Sequence, residues 1–278
     1  MAVVSFWGNS KRETGQTLSV VAIATAMAIT HNYKVLVIST GFQDKTMENC
    51  FWENNTNMDS VIENNQPTVM NNGFEGLIKI IQSNRTSSSI IRDYTKVVFK
   101  NRLDILLSPA TNDANIYNSE TKFYKNIIQL ADKEYDLVLV DIDKRMKLED
   151  KMGILQISNT VIVTLKQSLD SIETARILRG NNPASKNNNI IFLTGKYDYD
   201  SKYNIKNITR LLRETREISA ITYNKLYDEA AMEGKVVDFF LKNRSITDLT
   251  DRNVKFIEEA NKTCENIIFK LQELQMKL

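Results

Sequence analysis

The chain has 278 residues, of which 42% are hydrophobic and 25% charged, and its formal net charge is +2. This length suits one large globular domain or two small ones. Because no linker rich in Pro, Gly or Ser interrupts the sequence, we expect a single domain over residues 1–278. The near balance of positive and negative residues gives no broad basic field, so composition gives no support to nucleic-acid binding.

Residues that carry metal, disulfide or histidine chemistry are scarce. Cys50 and Cys264 lie far apart without metal-ligand spacing, and with no secretory segment at the N-terminus we expect reduced thiols in a cytoplasmic protein. The single histidine, His31, falls in a polar turn, which disfavours zinc binding and histidine acid–base catalysis. No apolar run approaches about 20 residues, so we expect no membrane-spanning segment.

Short β-branched runs alternate along the chain with longer amphipathic segments. The predicted strands are Val3–Phe6, Lys34–Ile38, Leu103–Leu107, Leu137–Ile142, Val161–Leu165 and Ile190–Leu193. The predicted helices are Gln16–Thr30, Ser119–Lys133, Leu169–Arg179 and Ile205–Arg216. This alternation, with apolar runs typical of strands buried on both sides, predicts an α/β fold with a doubly wound, mostly parallel sheet and helices on both faces.

Three further segments complete the prediction. We predict a loop with at most one short helix over Asn54–Asn72, and a turn rich in Asn over Asn181–Asn189. Thr250–Leu278 is predicted to be a helix. One face of it carries Ile257, Ala260, Cys264, Ile267, Leu271, Leu274 and Leu278. We expect this face to close the core; a partner-binding face is the alternative, and a membrane-surface helix is less favoured because the segment has no excess of positive charge.

The first strand, turn and helix form an arrangement that often binds phosphate. The turn "SKRETGQTLS" has Gly15 where the backbone must approach an anion closely and Thr17 where a hydroxyl can bind Mg²⁺. The pattern G-x-x-x-x-G-K-[ST] would place a glycine at Ser10 and a lysine at Gln16. Two of its four defining positions differ. The motif alone therefore supports equally a phosphate site and a strand–turn–helix that binds no ligand.

Other segments resemble the MinD/ParA family of deviant phosphate-loop ATPases, and most of all its TadZ/CpaE pilus-assembly branch. In that family the loop reads K-G-G-x-G-K-[ST], and Lys11–Thr17 fills this frame with Lys11 at the signature position. Later family segments are matched in order by "LDILLSPAT", "YDLVLVDID", "SNTVIVTLKQSLDSIETARIL", "IIFLTGKYDYDSKYNIKNI" and "ITYNKLYDEAAMEGKVV". The resemblance covers nearly the whole chain.

The resemblance implies a site for ATP and Mg²⁺. The expected nucleotide-binding residues are Lys11, Arg12, Glu13, Thr14, Gly15, Gln16, Thr17, Leu18 and Lys196. Thr17 and Asp141, the acid of the Walker B strand, are the expected Mg²⁺ ligands; the alternative for Asp141 is a strand-end residue that caps the next helix. Lys196 and Tyr197 are candidates to flank the adenine, or are merely exposed. Asp143 and Lys144 are expected to form a solvated pair.

The sequence also departs from the family. After the second strand the family has D-x-D, whose carboxylates serve Mg²⁺ and the attacking water, whereas this chain has Ser39-Thr40-Gly41, with Asp44 as a candidate replacement. Arg12 and Glu13 replace the loop's two central glycines, which restricts the backbone and brings a negative charge near the phosphates. These losses predict weak or no hydrolysis.

The resemblance therefore implies a nucleotide-binding positioning or assembly factor for a pilus, secretion or transfer machine. Two alternatives stay open: an active ATPase that cycles between monomer and dimer, and a ligand-free pseudo-ATPase scaffold. The family also implies a homodimer, in which the signature lysine reaches the phosphates of the other subunit, and protein partners within a larger assembly. No nucleic-acid partner is expected, and peripheral membrane contact is not favoured.

Overall fold

A computed structural model of the chain describes residues 1–8, 13–53, 73–83, 87–181, 189–248 and 250–276. Eight strands are found in this part of the chain. They are β1 (Ala2–Trp7), β2 (Val35–Ser39), β3 (Lys96–Phe99), β4 (Leu103–Leu106), β5 (Leu137–Asp141), β6 (Thr160–Leu165), β7 (Ile190–Tyr197) and β8 (Ser219–Thr222). They form one sheet in the order β3-β4-β2-β5-β1-β6-β7-β8, in which β3 runs antiparallel to β4 and the other neighbours are parallel.

Helices cover both faces of the sheet. Those described are α1 (Gln16–Thr30), α2 (Thr46–Asn49), α3 (Phe74–Gln82), α4 (Ala114–Glu120), α5 (Tyr124–Ala131), α6 (Leu148–Ile157), α7 (Leu169–Asn181), α8 (Ile205–Leu212), α9 (Lys225–Met232), α10 (Val236–Asn243) and α11 (Arg252–Gln275). α1, α9, α10 and α11 pack on one face, and α3, α5, α6, α7 and α8 on the other. The predicted doubly wound, mostly parallel α/β fold is confirmed.

The central strands are apolar at consecutive positions because both of their faces are covered. Successive strand side chains point to opposite faces, so in β1 Val4 and Phe6 pack with α1 whereas Val3 and Trp7 pack with the helices of the other face. Every residue of β1, β2, β5 and β6 is buried. Because these four strands run parallel, their carboxyl ends lie at one edge of the sheet, where α1 begins.

Two predicted helices differ from the structure. Ser119–Lys133 is not one continuous helix, because α4 and α5 are separated by a 3₁₀ turn in which the Thr121 hydroxyl donates to the Asp150 carboxylate, 2.5 Å away. The helix predicted over Ile205–Arg216 ends at Leu212, because Arg213 adopts left-handed backbone angles with φ 53°. Asn54–Asn72, and residues 182–188 of the predicted Asn-rich turn, lie outside the described residues.

The C-terminal helix α11 lies against α1 and β8. Its N-cap, Asp251, accepts hydrogen bonds from the backbone N–H groups of Asn253 and Val254, which fixes where the helix begins. Four residues of the predicted apolar face are buried and two are partly buried, while Leu278 lies outside the described residues. The buried ones are Ile257, Ala260, Cys264 and Ile267, and the partly buried ones are Leu271 and Leu274. This face packs into the core of the sheet.

Among the helices of the described chain, none has both the length and the apolar character that crossing a membrane requires.

The two sides of α11 give a matched test of its role. We expect Ile267→Ala, which removes a side chain with no solvent exposure, to lower the free energy of unfolding by about 2–5 kcal/mol. Phe269→Ala, on the opposite side and 68% exposed, is expected to change it by about 0.5 kcal/mol or less. Urea unfolding of both variants measures this difference. Equal costs for the two changes would show that α11 does not seal the core.

Candidate functional site

A cavity of about 540 Å³ opens where α1 begins, at the carboxyl edge of the sheet. Its walls come from the ends of β1, β2, β5 and β7, the turn and first residues of α1, the loop into α2 and α2 itself, and one side of α9. The described residues that line it include Gly8, Glu13, Thr14, Gly15, Gln16, Thr17, Leu18, Ser39, Gly41, Asp44, Asp141, Asp143, Lys144, Arg145, Lys196, Asp228 and Met232. A cavity of this size and position is typical of a small-molecule site in an open α/β sheet.

The start of α1 depends on Gly15. Its backbone is left-handed, with φ 71°, a conformation that glycine adopts without strain. A Cβ atom at Gly15 would lie 2.8 Å from Cγ of Lys196, so there is no room for a larger residue. As the N-cap, Gly15 offers no side chain to the first helical turn, and the N–H groups of that turn are left for an anion.

The side chain of Gln16 is bound to the sheet edge. Its Nε2 donates to Oδ1 of Asp141 at 2.7 Å and to the carbonyl oxygen of Ile142 at 2.9 Å. Its Oε1 accepts a hydrogen bond from the hydroxyl of Thr164 at 2.7 Å. The amide thus joins α1 to the ends of β5 and β6, and to contact a ligand it would have to give up these hydrogen bonds.

Gly8 makes room for this arrangement at the end of β1. A Cβ atom there would lie 2.5 Å from the Thr164 hydroxyl oxygen and 3.1 Å from Oε1 of Gln16. Any other residue would therefore clash with the hydrogen bond between those two side chains. A glycine is therefore required directly after β1, because a side chain there would separate the Gln16 amide from Thr164.

Asp141 is the acid at the centre of the site. Its Oδ2 accepts a hydrogen bond from the Thr17 hydroxyl at 2.7 Å, beside the bond from Gln16. Burial raises the pKa of Asp141 from 3.8 to about 6; the hydrogen bonds from Gln16 and Thr17 lower it, and the nearby charges of Asp44 and Asp143 raise it. Asp141 does not cap α6, whose N-cap is Lys147. The structure brings both expected Mg²⁺ ligands together.

The loop after β5 is held by Asp143, and here the sequence prediction is wrong. Asp143 pairs with Arg145, not with Lys144: Nε and Nη2 of Arg145 donate to its carboxylate at 2.6–3.1 Å. The backbone N–H of Phe42 also donates to it, at 2.9 Å. Burial opposes ionisation of Asp143, but these hydrogen bonds outweigh it and hold its pKa below the usual range. Asp143 is part of the pocket wall because two loops bond to it.

The other predicted site residues fall into three groups. Glu13, Thr14 and Leu18 line the cavity with Gly15, Gln16 and Thr17, and Lys196 reaches it from the end of β7. Tyr197, a candidate to flank adenine, is 4% exposed and does not line the cavity; its ring packs edge-on against Tyr199, and its hydroxyl accepts from the backbone N–H of Ile205 at 3.3 Å. Lys11 and Arg12 lie outside the described residues.

Several lining residues were not predicted from the sequence. Arg145 follows the end of β5, and Asp228 and Met232 lie on α9. The rule that ligands bind at the carboxyl ends of parallel strands could have pointed to Arg145. No comparable signal marks Asp228 or Met232, because α9 is brought to the cavity by its tertiary packing against α2 and α10.

The same architecture occurs in solved structures of low sequence identity. A ParA family ATPase from Chlorobium tepidum superposes with a TM-score of 0.67 and 19% identity, over 97% of each chain. The septum site-determining protein MinD of Pyrococcus horikoshii, solved with Mg-ADP, gives 0.64 and 13%, over 97% of this chain and 98% of that one. MinD of Aquifex aeolicus, solved in a complex with MinC, gives 0.61 and 13%, over 96% of each chain.

The chain has the fold of the MinD and ParA ATPases. No protein-family model matches the sequence, and no curated protein matches it either. At 13–19% identity the likeness to these structures concerns the fold.

MinD of Pyrococcus horikoshii was solved with Mg-ADP, and the oxygen groups in this cavity fit the needs of Mg²⁺. A threonine hydroxyl and a carboxylate 2.7 Å apart are oxygen groups of the kind that Mg²⁺ prefers. In the described part of the chain, no group of three or more His, Cys, Asp and Glu side chains could hold a metal ion by itself. Mg²⁺ at Thr17 and Asp141 would therefore need water and phosphate oxygens as further ligands, which is its usual manner of binding.

The raised pKa of Asp141 predicts an unusual pH dependence of stability when divalent cations are removed. Between about pH 4 and pH 6 the folded protein keeps a proton that the unfolded chain releases, so the free energy of unfolding falls as the pH rises through this window. Asp141→Asn cannot ionise and still accepts from Gln16. Its stability relative to wild type is expected to rise from pH 4 to pH 7 by up to roughly 3 kcal/mol, at about 1.4 kcal/mol per pKa unit.

Urea unfolding in EDTA at several pH values measures this, and Asp143→Asn is the matched control. Because the folded-state pKa of Asp143 is lowered, its carboxylate contributes stability at neutral pH that is lost as the pH falls, so the Asn variant should be least stable relative to wild type near pH 7. Identical pH profiles for wild type and Asp141→Asn would contradict the raised pKa of Asp141.

Proposed function

We propose that this protein binds Mg-ATP in the cavity at the start of α1 and works as a positioning or assembly factor of the MinD/ParA type, with weak or no hydrolysis. One observation carries the proposal. The cavity keeps the anion-binding start of α1 and the Thr17–Asp141 pair, while the residue at the usual lysine position, Gln16, is bound to the sheet edge.

Nucleotide binding is supported by groups that do not depend on residue 16. The N–H groups at the start of α1 can bind phosphate whatever side chain stands there. The MinD of Pyrococcus horikoshii, which shares the fold, was solved with Mg-ADP. The described lining of the cavity holds five acidic and three basic residues, so we expect Mg²⁺ to be required to bring a phosphate chain into it.

Impaired hydrolysis is supported by what surrounds the expected phosphates. Phosphoryl transfer is catalysed by charge and positioning around the transferred group, and the neutral Gln16 amide donates to Asp141 instead. Ser39 and Gly41 provide no carboxylate at the end of β2. Asp44 lines the cavity, but its Oδ1 accepts from the backbone N–H of Thr46 at 2.9 Å, which holds it in its own loop.

The larger assembly is inferred from resemblance. The sequence resembles the TadZ/CpaE branch, which supports a pilus-type, secretion or transfer machine, and MinD of Aquifex aeolicus was solved with a protein partner, MinC. We also infer a homodimer in which Lys11, at the signature position, contacts the partner's nucleotide. Sedimentation velocity with and without Mg-ATP tests the homodimer, and a monomer mass under both conditions would reject it.

Thermal unfolding with and without nucleotide tests the proposed function. We expect Mg-ATP to stabilise the protein by about 2.7 kcal/mol at one hundred times its dissociation constant, because the ligand binds only the folded state. ATP with EDTA is expected to stabilise it much less, and Thr17→Ala should weaken the effect of Mg²⁺. No stabilisation by Mg-ATP at millimolar concentration would reject nucleotide binding.

A ligand-free scaffold is the second candidate, and the acidic lining of the cavity favours it. Five carboxylates repel a phosphate chain unless cations offset them. Under this reading the Gln16 network is purely structural. The scaffold predicts no response to nucleotide with or without Mg²⁺, so the same unfolding experiment separates the two functions.

We expect little or no phosphate release from wild type, and no turnover in Gln16→Lys. Loss of a transition-state donor costs on the order of 10²–10³-fold, and loss of positioned acid–base groups a further 10²–10⁴-fold or so. A lysine at position 16 restores only the first, and is expected to tighten Mg-ATP binding because it supplies positive charge. Gln16→Leu, which carries no charge, is the control for binding.

A phosphate-release assay under saturating Mg-ATP measures turnover. Steady release by wild type that disappears in Thr17→Ala would contradict impaired hydrolysis and establish the active ATPase instead. Phosphate release by Gln16→Lys alone would show that the lysine position is the only defect.

A further inference from the structure

Any phosphate chain in this cavity needs a positive charge that residue 16 does not supply. The Gln16 amide is neutral and already bonded to Asp141, Ile142 and Thr164. The described lining has more acidic than basic residues. If the proposed function holds, some other side chain must contact the phosphates alongside Mg²⁺.

Among the described basic lining residues, Lys196 is the one placed at the start of α1. Its Cγ lies 2.8 Å from where a Cβ of Gly15 would stand, so its aliphatic stem crosses directly over the N-cap. Arg145, by contrast, has its guanidinium bound to Asp143 through two nitrogen atoms. Lys196 lies at the end of β7, beside the turn that leads into α1.

The backbone at Lys196 is held in an unusual conformation. Its φ is 48°, in the left-handed region that lysine rarely adopts, and the register between β7 and β8 shifts between Thr194 and Tyr197. Gly195 lets β7 approach the turn, since a Cβ atom there would lie 2.3 Å from the carbonyl oxygen of Thr14. A strained residue held by close packing at a cavity is often a functional one.

The ion pair that Lys196 makes does not explain this strain. Its Nζ lies 3.9 Å from Oε2 of Glu13, and the side chains are 37% and 87% exposed. An ion pair this long and this exposed contributes little to stability. Glu13 is nevertheless the anion nearest to the ammonium group in the turn, so a phosphate oxygen would compete with it.

We propose that Lys196, delivered from the end of β7, is the phosphate-binding cation that replaces the lysine missing at Gln16, and that Glu13 competes with the phosphates for it. This assignment rests on the proposed nucleotide binding and adds a definite contact to it. The charge that a lysine at position 16 would supply comes here from the end of β7. The proposal differs from an adenine contact by Lys196, which would leave phosphate affinity unchanged.

Two affinities test the proposal. Isothermal titration measures the affinity for Mg-ATP, and displacement of Mg-ATP by Mg-tripolyphosphate measures the affinity for the phosphates. Tripolyphosphate carries the phosphates without a base. The variants are Lys196→Met, which keeps the aliphatic stem, Lys196→Arg, which keeps the charge, and Glu13→Gln. Lys206→Met on α8, which is exposed and outside the cavity, is the control, and thermal unfolding without ligand checks that each variant is folded.

We expect Lys196→Met to weaken both Mg-ATP and Mg-tripolyphosphate by about ten- to hundredfold, the scale of one charged hydrogen bond, and Lys196→Arg to recover most of it. Glu13→Gln should tighten both ligands, and Lys206→Met should change neither.

Three results would overturn the proposal. The first is that Lys196→Met binds both ligands as tightly as wild type. The second is that Lys196→Met loses affinity for Mg-ATP alone, which would indicate a contact with the base. The third is that tripolyphosphate fails to displace Mg-ATP from wild type. If wild type binds no Mg-ATP at all, the proposed function fails and this assignment fails with it. Nucleotide binding that is unaffected by Lys196→Met overturns the assignment alone.

Discussion

The buried carboxylate of Asp141 is the group on which the rest of the site depends. A charge at the end of a buried strand is costly unless it is paired or hydrogen-bonded, and two side chains from the first turn of α1, Gln16 and Thr17, donate to it at 2.7 Å. These bonds fix where α1 begins relative to β5. They also explain Gly8, because the glutamine can reach its partners only across a strand end without a side chain. The position of the turn, and hence of the cavity, follows from satisfying this one acid.

The same interaction redistributes charge around the cavity. In a phosphate loop with lysine, one side chain can serve both the strand-end carboxylate and the phosphates. Glutamine serves the carboxylate without adding charge, so the described lining is left with an excess of acidic residues. Among the described residues, the strained Lys196, whose stem crosses Gly15, is placed to add positive charge beside Mg²⁺. On the proposed assignment, the left-handed Lys196 supplies the charge that Gln16 lacks in this acidic cavity.

The sequence was sufficient for the fold and for the position of the cavity, but not for the contacts within it. Consecutive apolar residues in β1, β2, β5 and β6 predicted the buried parallel strands, because periodicity depends on local sequence. The break between α4 and α5 was missed because it depends on a tertiary bond from Thr121 to Asp150. Likewise, no local pattern shows that Asp143 pairs with Arg145 or that Lys196 has a positive φ. The loop of Asp143 is also held by Phe42, and Lys196 follows Gly195, which packs against Thr14; both contacts join segments far apart in the chain.

Glutamine also differs from lysine in the hydrogen bonds that it makes at this position. Its amide donates two hydrogen bonds, to Asp141 and Ile142, and accepts one from Thr164, so it ties α1 to both β5 and β6. A lysine cannot accept, and would leave the Thr164 hydroxyl without this partner. The floor of the cavity is therefore fixed by hydrogen bonds from the neutral Gln16 amide to the sheet edge. Any response to a phosphate must arise at the rim, where the exposed Glu13 and the stem of Lys196 meet beside Gly15. The proposed phosphate contact of Lys196 therefore lies at the exposed rim, where it can form without breaking the hydrogen bonds of Gln16.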